Sequence, residues 1–295
     1  MVAVRRSSRA GFTLVELMVA IVISGILIGT IFQFLLGQGR FARYQGAREE
    51  VQQNARAALE LITSDLRGVA PGGITVAGES EIVIRAPRAW GVVCGYINND
   101  LAVIFPESPA LAAGDSLAFY AGSGLWSFVA VTDETAANGQ ATITSCNLSN
   151  PRPALSASSA ADIARVRLFR GPGIPPPTGL APLAPATELY LFQQVSYDVH
   201  TYAANEPLPG IWIRRAAAAA TPQPFAGPLP DGAGLSFRYY DAAGADITGV
   251  LVAGSTSANL VDRVDVSVRT ASTARFANQP QTNAAGSTVS LRNRF

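Results

Sequence analysis

The sequence predicts an α+β protein, with one long N-terminal helix packed on a mostly antiparallel β-sheet head that carries long loops. Three observations lead there. No proline occurs between Phe12 and Val69, while apolar residues after Tyr44 recur every three or four positions. Short runs rich in β-branched and aromatic residues follow one another after residue 80. No second strong helical pattern separates those runs, which favours antiparallel pairing over βαβ crossovers.

The helix begins in a stretch, "RAGFTLVELMVAIVISGIL" from Arg9 to Leu27, that poses a physical problem. From Leu17 to Leu36 there are twenty residues without a formal charge, interrupted by Ser24, Thr30 and Gln33. At about 1.5 Å per residue they span roughly 30 Å, one bilayer core. Glu16 stands at the edge of this run. A charged side chain in mid-membrane costs about 2.5–3.5 kcal/mol on insertion scales, so the carboxylate needs a compensating role. Arg5, Arg6 and Arg9 before the run favour a cytoplasmic N-terminus, although Arg40 and Arg43 beyond it weaken the asymmetry. A secretory signal peptide cleaved near Gly37-Gln38-Gly39 is the competing reading. Gly25-Ile26-Leu27-Ile28-Gly29 is a G-x-x-x-G, which permits close helix approach and is a weak signal alone.

Beyond the run, Tyr44, Ala47, Val51, Ala55, Ala58, Ile62, Leu66 and Val69 trace one apolar stripe. Arg43, Glu49, Glu50, Gln53, Arg56, Glu60 and Arg67 mark the solvated face. Pro71-Gly72-Gly73 is the expected stop. The element is about 55 residues long, on the order of 80 Å. Its membrane half covers 12–36 and its amphipathic half 37–70. An unpartnered amphipathic half is unstable in water, so the stripe must lie on the head, residues 71–295.

The strands of that head are expected at "EIVIR" (81–85), "LAVIF" (101–105), "SLAFYA" (116–121), "LWSFVAV" (125–131) and "IARVRLFR" (163–170). Further runs are "TELYLFQQVSYDVHTY" (187–202), "LSFRYYD" (235–241), "VDRVDVSVR" (261–269) and "STVSLRN" (287–293). Asp241-Ala242-Ala243-Gly244 is a turn signal. The Pro- and Ala-rich segments 172–185 and 216–230 read as exposed loops.

Charge and composition narrow the function. All 22 basic residues are Arg, and the net charge is +1. From residue 70 onward fourteen Arg meet sixteen Asp plus Glu, a net of −2 that gives nucleic-acid binding no electrostatic support. Without Lys there is no phosphate-cradling G-x-x-x-x-G-K-[ST]. The one histidine, His200, sits in an alternating strand and no G-x-S-x-G elbow accompanies it, which disfavours a membrane-tethered hydrolase. Two distant cysteines and one histidine do not close a zinc site. Asp241, Gly244 and Asp246 faintly suggest a calcium loop but lack its bidentate Glu, and read better as a hairpin turn. No cofactor or metal is implied. Cys94 and Cys146 lie beyond the apolar run. If that region is exported they form one disulfide; otherwise they are two buried thiols.

"RRSSRAGFTLVELMVAIVISGIL" resembles the class III prepilin leader of type IV pilins and type II secretion pseudopilins. A short basic leader ends in Gly, Phe-Thr-Leu-x-Glu follows, and an unbroken apolar helix continues. The long helix, the β-rich head, "DGAGLSFRYYD" and the chain end in "VSLRN" look most like PilW-type minor pilins and J-type pseudopilins. The resemblance implies a leader of residues 1–11, cut after Gly11 by the prepilin peptidase. Phe12 becomes an N-methylated N-terminus, and Glu16 pairs with the Phe12 amine of a neighbouring subunit. The plainer alternative leaves Glu16 at headgroup level. Major pilins commonly carry a helix-kinking proline that is absent here, and the head is bulky. Both features favour a low-copy or tip subunit, anchored in the inner membrane with its head in the periplasm and partnered by other pilins or pseudopilins. An adhesin head is a further, less favoured reading.

Overall fold

The computed structural model describes residues 13–70, 72–97, 100–106, 115–120, 126–130, 133–136, 166–170, 183–217, 220–249, 260–276 and 279–291. The chain divides into two compact units, Met1–Glu50 and Val51–Phe295. Helix α1 (Leu14–Arg67) starts in the first and ends in the second. From Leu17 to Leu36, within the first unit, the helix is apolar on every side. Its greasiest 18-residue window has a mean hydropathy of 2.5 and no buried share. In water this surface would be a severe liability; in a bilayer it is the solvent-matched surface.

In the second unit the apolar stripe is buried as expected. Val51, Ala55, Ala58, Ile62, Leu66 and Val69 are each at most 1% exposed, whereas Gln53, Arg56, Glu60 and Arg67 face outward. The helix ends before the expected Pro71 stop. Gly68 N–H bonds Asp65 O at 3.2 Å and Val69 N–H bonds Leu66 O at 3.1 Å, tightening the last turn. A Cβ at Gly68 would lie 2.6 Å from Pro87 Cγ, so a side chain is excluded where the chain turns toward the sheet.

Strands β1 (Ile74–Ala77), β2 (Ile82–Ile97), β3 (Asp100–Ile104), β4 (Ser116–Tyr120) and β5 (Trp126–Ala130) open the head. They are followed by β6 (Asp133–Ala136), β7 (Val166–Arg170), β8 (Glu188–Tyr202), β9 (Gly210–Ala217) and β10 (Gln223–Leu229). These ten strands form one sheet, and all their pairings among the described residues are antiparallel. Its spine is the long β2–β8 ladder, from Ile82↔Tyr197 to Val92↔Glu188. Each spine strand shares its outer edge between two shorter strands. On β2, β1 takes residues 82–84 and β3 takes 92–97. On β8, β4 takes 189–192 and β9 takes 195–202. A second sheet orders β11 (Leu235–Tyr240), β12 (Arg263–Phe276) and β13 (Gln279–Ser290).

This layout makes two large cores among the described residues. The first gathers Ala58, Ile62, Leu66 and Val69 of α1 with Ile82, Ile84, Val195, Tyr197 and Ile213 of the large sheet. Phe237, Tyr239, Val264, Val266 and Val268 of the three-stranded sheet complete it. The second gathers Val93, Leu101, Val103, Phe105, Leu117, Phe169, Leu189 and Leu191 around the other half of the spine. Phe105 and Phe169 meet there edge to face, with centroids 6.1 Å apart.

Two expectations need correcting. The segment 216–230, read as a loop, contains the end of β9 and all of β10. Its prolines are tolerated because β10 closes the sheet as an edge strand, and its register on β9 shifts at Pro224/Ala226 and Ala226/Leu229. Gly227 there is required by close approach, since a Cβ would stand 2.8 Å from the Trp212 ring. Strand β13 begins at Gln279, well before the expected 287, because its polar first half is recruited by β12 rather than by its own propensity. Most of segment 172–185 lies outside the described residues.

Candidate functional site

The predicted processing and assembly site divides at Phe12, since Gly11 and Phe12 lie outside the described residues and Glu16 lies within them. Thr13-Leu14-Val15-Glu16 forms a reciprocal cap. The Glu16 N–H donates to Thr13 Oγ1 at 3.3 Å, and the Thr13 N–H donates to Glu16 Oε2 at 3.0 Å. The Thr13 hydroxyl also donates to Glu16 Oε2, at 3.2 Å. The first helical bond, Leu17 N–H to Thr13 O at 3.2 Å, places Thr13 at the N-cap and Glu16 three residues on. This is the arrangement that satisfies two orphan amides of a helix start at once. The T-x-x-E spacing is its signal in the sequence. The two roles are compatible: Oε2 carries the cap, and Oε1 accepts no hydrogen bond among the described residues.

Further along the apolar run, Thr30 hides its hydroxyl by donating to Leu27 O at 2.8 Å. A Cβ added to Gly25 or Gly29 would meet nothing within 4 Å, so this face is open to another helix.

In the head, three polar groups join α1 to the spine. Tyr197 Oη donates to Asp65 Oδ2 at 2.5 Å, and Arg215 donates to the same oxygen through Nη2 at 3.1 Å. Arg215 Nε also lies 3.1 Å from Tyr197 Oη. One carboxylate thus serves β8 and β9 together, which fixes the helix against the sheet at its last turn. Burial, with the Asp65 carboxylate second, raises the Tyr197 phenol well above its usual value; burial, then Glu81, does so for Tyr239. Both phenols stay protonated in the folded head while the unfolded chain titrates near pH 10. Their contribution is therefore complete below about pH 10 and falls above it, by up to about 1.4 kcal/mol per pH unit per tyrosine. Urea midpoints measured from pH 8 to 11 should drop steeply in the native protein and less steeply in a Tyr197→Phe, Tyr239→Phe double variant. Equal slopes would remove the tyrosines as the cause.

The remaining candidates are placed as follows. Cys94 lies in β2 and is 9% exposed; no cysteine among the described residues is free, and Cys146 lies outside them. His200 stands opposite Trp212 on β9, its ring 4.7 Å from that of Tyr202. Asp241 accepts the N–H groups of Ala243 and Ala245 at 2.9 and 2.8 Å, and Asp246 accepts that of Thr248 at 2.9 Å. These carboxylates build the turn expected there, with Gly244 at φ +83°. The Thr248 hydroxyl, and after it the Thr248 N–H, hold the Asp246 carboxyl below its ordinary value. No group of three or more potential metal ligands occurs among the described residues.

Comparison with known proteins returns one family. The prokaryotic N-terminal methylation motif matches residues 6–32. No curated protein and no solved structure matches the chain. The matched segment contains Gly11, Phe12, the Thr13–Glu16 cap and most of the spanning run. That motif implies processing by a prepilin peptidase and assembly with other pilins in general. With its prepilin leader and an N-terminal apolar helix of spanning length, the chain fits the pilin and pseudopilin superfamily of membrane-anchored filament subunits.

Proposed function

We propose that this chain is a minor pilin, a low-copy or tip subunit that serves in type IV pilus assembly. The observation that carries the reading is the methylation motif at residues 6–32, continuous with a helix that is unburied through its apolar half. The prepilin peptidase cuts between Gly11 and Phe12 and methylates the new amine. The apolar half then holds the chain in the inner membrane, with the head in the periplasm. Other pilins are its partners, and no cofactor takes part. The bulky head and the absence of a kinking proline before Pro71 support a low copy number over a densely repeated subunit. Mass spectrometry of the mature N-terminus should find methylated Phe12. A chain beginning near Arg40 would identify an ordinary signal peptide and end the filament reading. A J-type pseudopilin follows the same plan, and deletion separates the two: lost pili support the pilus reading, lost protein secretion the other.

Export also gives the two cysteines an oxidising compartment. We propose that Cys94 and Cys146 are bonded to each other, supported by the absence of a free cysteine among the described residues. A loop of about fifty residues closed this way stabilises the fold by roughly 4 kcal/mol in the chain-entropy picture. Thiol labelling of the denatured, unreduced protein should find no reactive cysteine, and two labelled thiols would refute the bond.

A further inference from the structure

We infer that β13 is a self-pairing edge, through which two copies of this chain join their three-stranded sheets into one. The sheet order ends at β13, and no strand lies beyond it among the described residues. The direction of its free groups follows from the ladder. Arg269 N–H donates to Gly234 O at 2.7 Å, so the odd-numbered residues of β12 up to Arg269 face β11 and the even-numbered ones face β13. Val264, Val266, Val268 and Thr270 stand opposite Val289, Ser287, Ala285 and Asn283. The alternation then turns the N–H and C=O groups of Thr282, Ala284, Gly286, Thr288 and Ser290 outward, and all five residues are exposed.

Exposed edges are normally protected by charge, by brevity or by a proline. Strand β13 is twelve residues long and contains no charged residue. Its one proline, Pro280, lies near the start and leaves the five outward residues unprotected. The opposite border is managed differently: on β11, Phe237 N–H bonds Glu79 O at 2.8 Å and Tyr239 N–H bonds Thr248 Oγ1 at 2.9 Å. Of the two borders of this sheet, β13 is the one left without such a partner among the described residues.

The outward set is complementary to itself. An antiparallel copy centred on Gly286 places Thr282 opposite Ser290, Ala284 opposite Thr288 and Gly286 opposite Gly286. Every outward amide meets a carbonyl, the Thr282 and Ser290 hydroxyls face each other, the small Ala284 faces Thr288, and no like charges meet. The glycine at the centre is not demanded by the fold, because a Cβ there would meet only Val266 O at an ordinary 3.5 Å. Its smallness serves the open side, where two backbones approach across a dyad.

The full-length protein in detergent, followed by light scattering and oxidative cross-linking, tests this. Gly286→Cys should give a covalent dimer on mild oxidation, while Ala243→Cys in the exposed turn should not. Thr288→Pro removes an outward N–H that β12 does not use and should shift the protein to monomer with an unchanged circular dichroism spectrum. Should that variant misfold, an Ala284→Lys, Thr288→Lys pair sets lysines opposite each other and should weaken the dimer about tenfold or more. A monomeric native protein with no cross-link at position 286 overturns the proposal. So does a cross-link formed only with a different filament subunit, which would assign the edge to that partner.

Discussion

Glu16→Gln is expected to leave leader cleavage and membrane insertion unchanged and to lower incorporation into filaments about a hundredfold or more. Both early steps depend on Gly11 and the apolar run, and the substitution removes an insertion cost. Assembly is different. We propose that Glu16 pairs with the Phe12 amine of a neighbouring subunit; that amine, buried without a carboxylate, then loses about 3–5 kcal/mol, the usual cost of breaking a buried pair. The capping geometry makes this substitution informative. Glutamine keeps an oxygen that accepts the Thr13 N–H, so the helix start survives while the charge is lost. Thr13→Val does the opposite, removing the hydroxyl that accepts the Glu16 N–H and costing about 1 kcal/mol of helix stability. Glu16→Ala loses both. Filament yield should therefore fall steeply for Gln and Ala and only slightly for Val. Co-purification with other filament subunits is the readout. Wild-type behaviour of Glu16→Gln combined with failure of Thr13→Val would reduce Glu16 to a helix cap.

Ile62→Ala should destabilise the head by about 2–5 kcal/mol, against a typical domain total of about 5–15 kcal/mol. Ile62 is 0% exposed and lies where α1, the large sheet and the three-stranded sheet share one core. A cavity there is bounded by strands on both sides and collapses poorly. Leu61, one residue away and 37% exposed, is the control, and its replacement by Ala should change stability by about 0.5 kcal/mol or less. Urea denaturation followed by tryptophan fluorescence measures both. Equal losses at the two positions would mean that the stripe does not seat the helix.

The sequence by itself determined the features that are local or periodic. The apolar run, the stripe from Val51 to Val69 and the solvated face opposite it follow from helical spacing, because a 3.6-residue repeat dictates which side chains share a face. Glu16 was legible because membrane cost makes a stray carboxylate conspicuous, and the leader was legible through its resemblance to class III prepilin leaders. The Thr13–Glu16 cap was equally local and was legible in principle. Tertiary structure alone decided the rest. Asp65, Tyr197 and Arg215 are separated by 132 and 150 residues, and no spacing rule links them. Strand β10 holds two prolines, an alanine and a glycine among its seven residues, types whose intrinsic preference is against strands, and β9 supplies the pairing that overrides it. The same holds for the first half of β13, held in register by β12. A helix face is written by neighbours three and four residues away. A strand takes its partner from a distant part of the chain, and that choice exists only once the chain has folded.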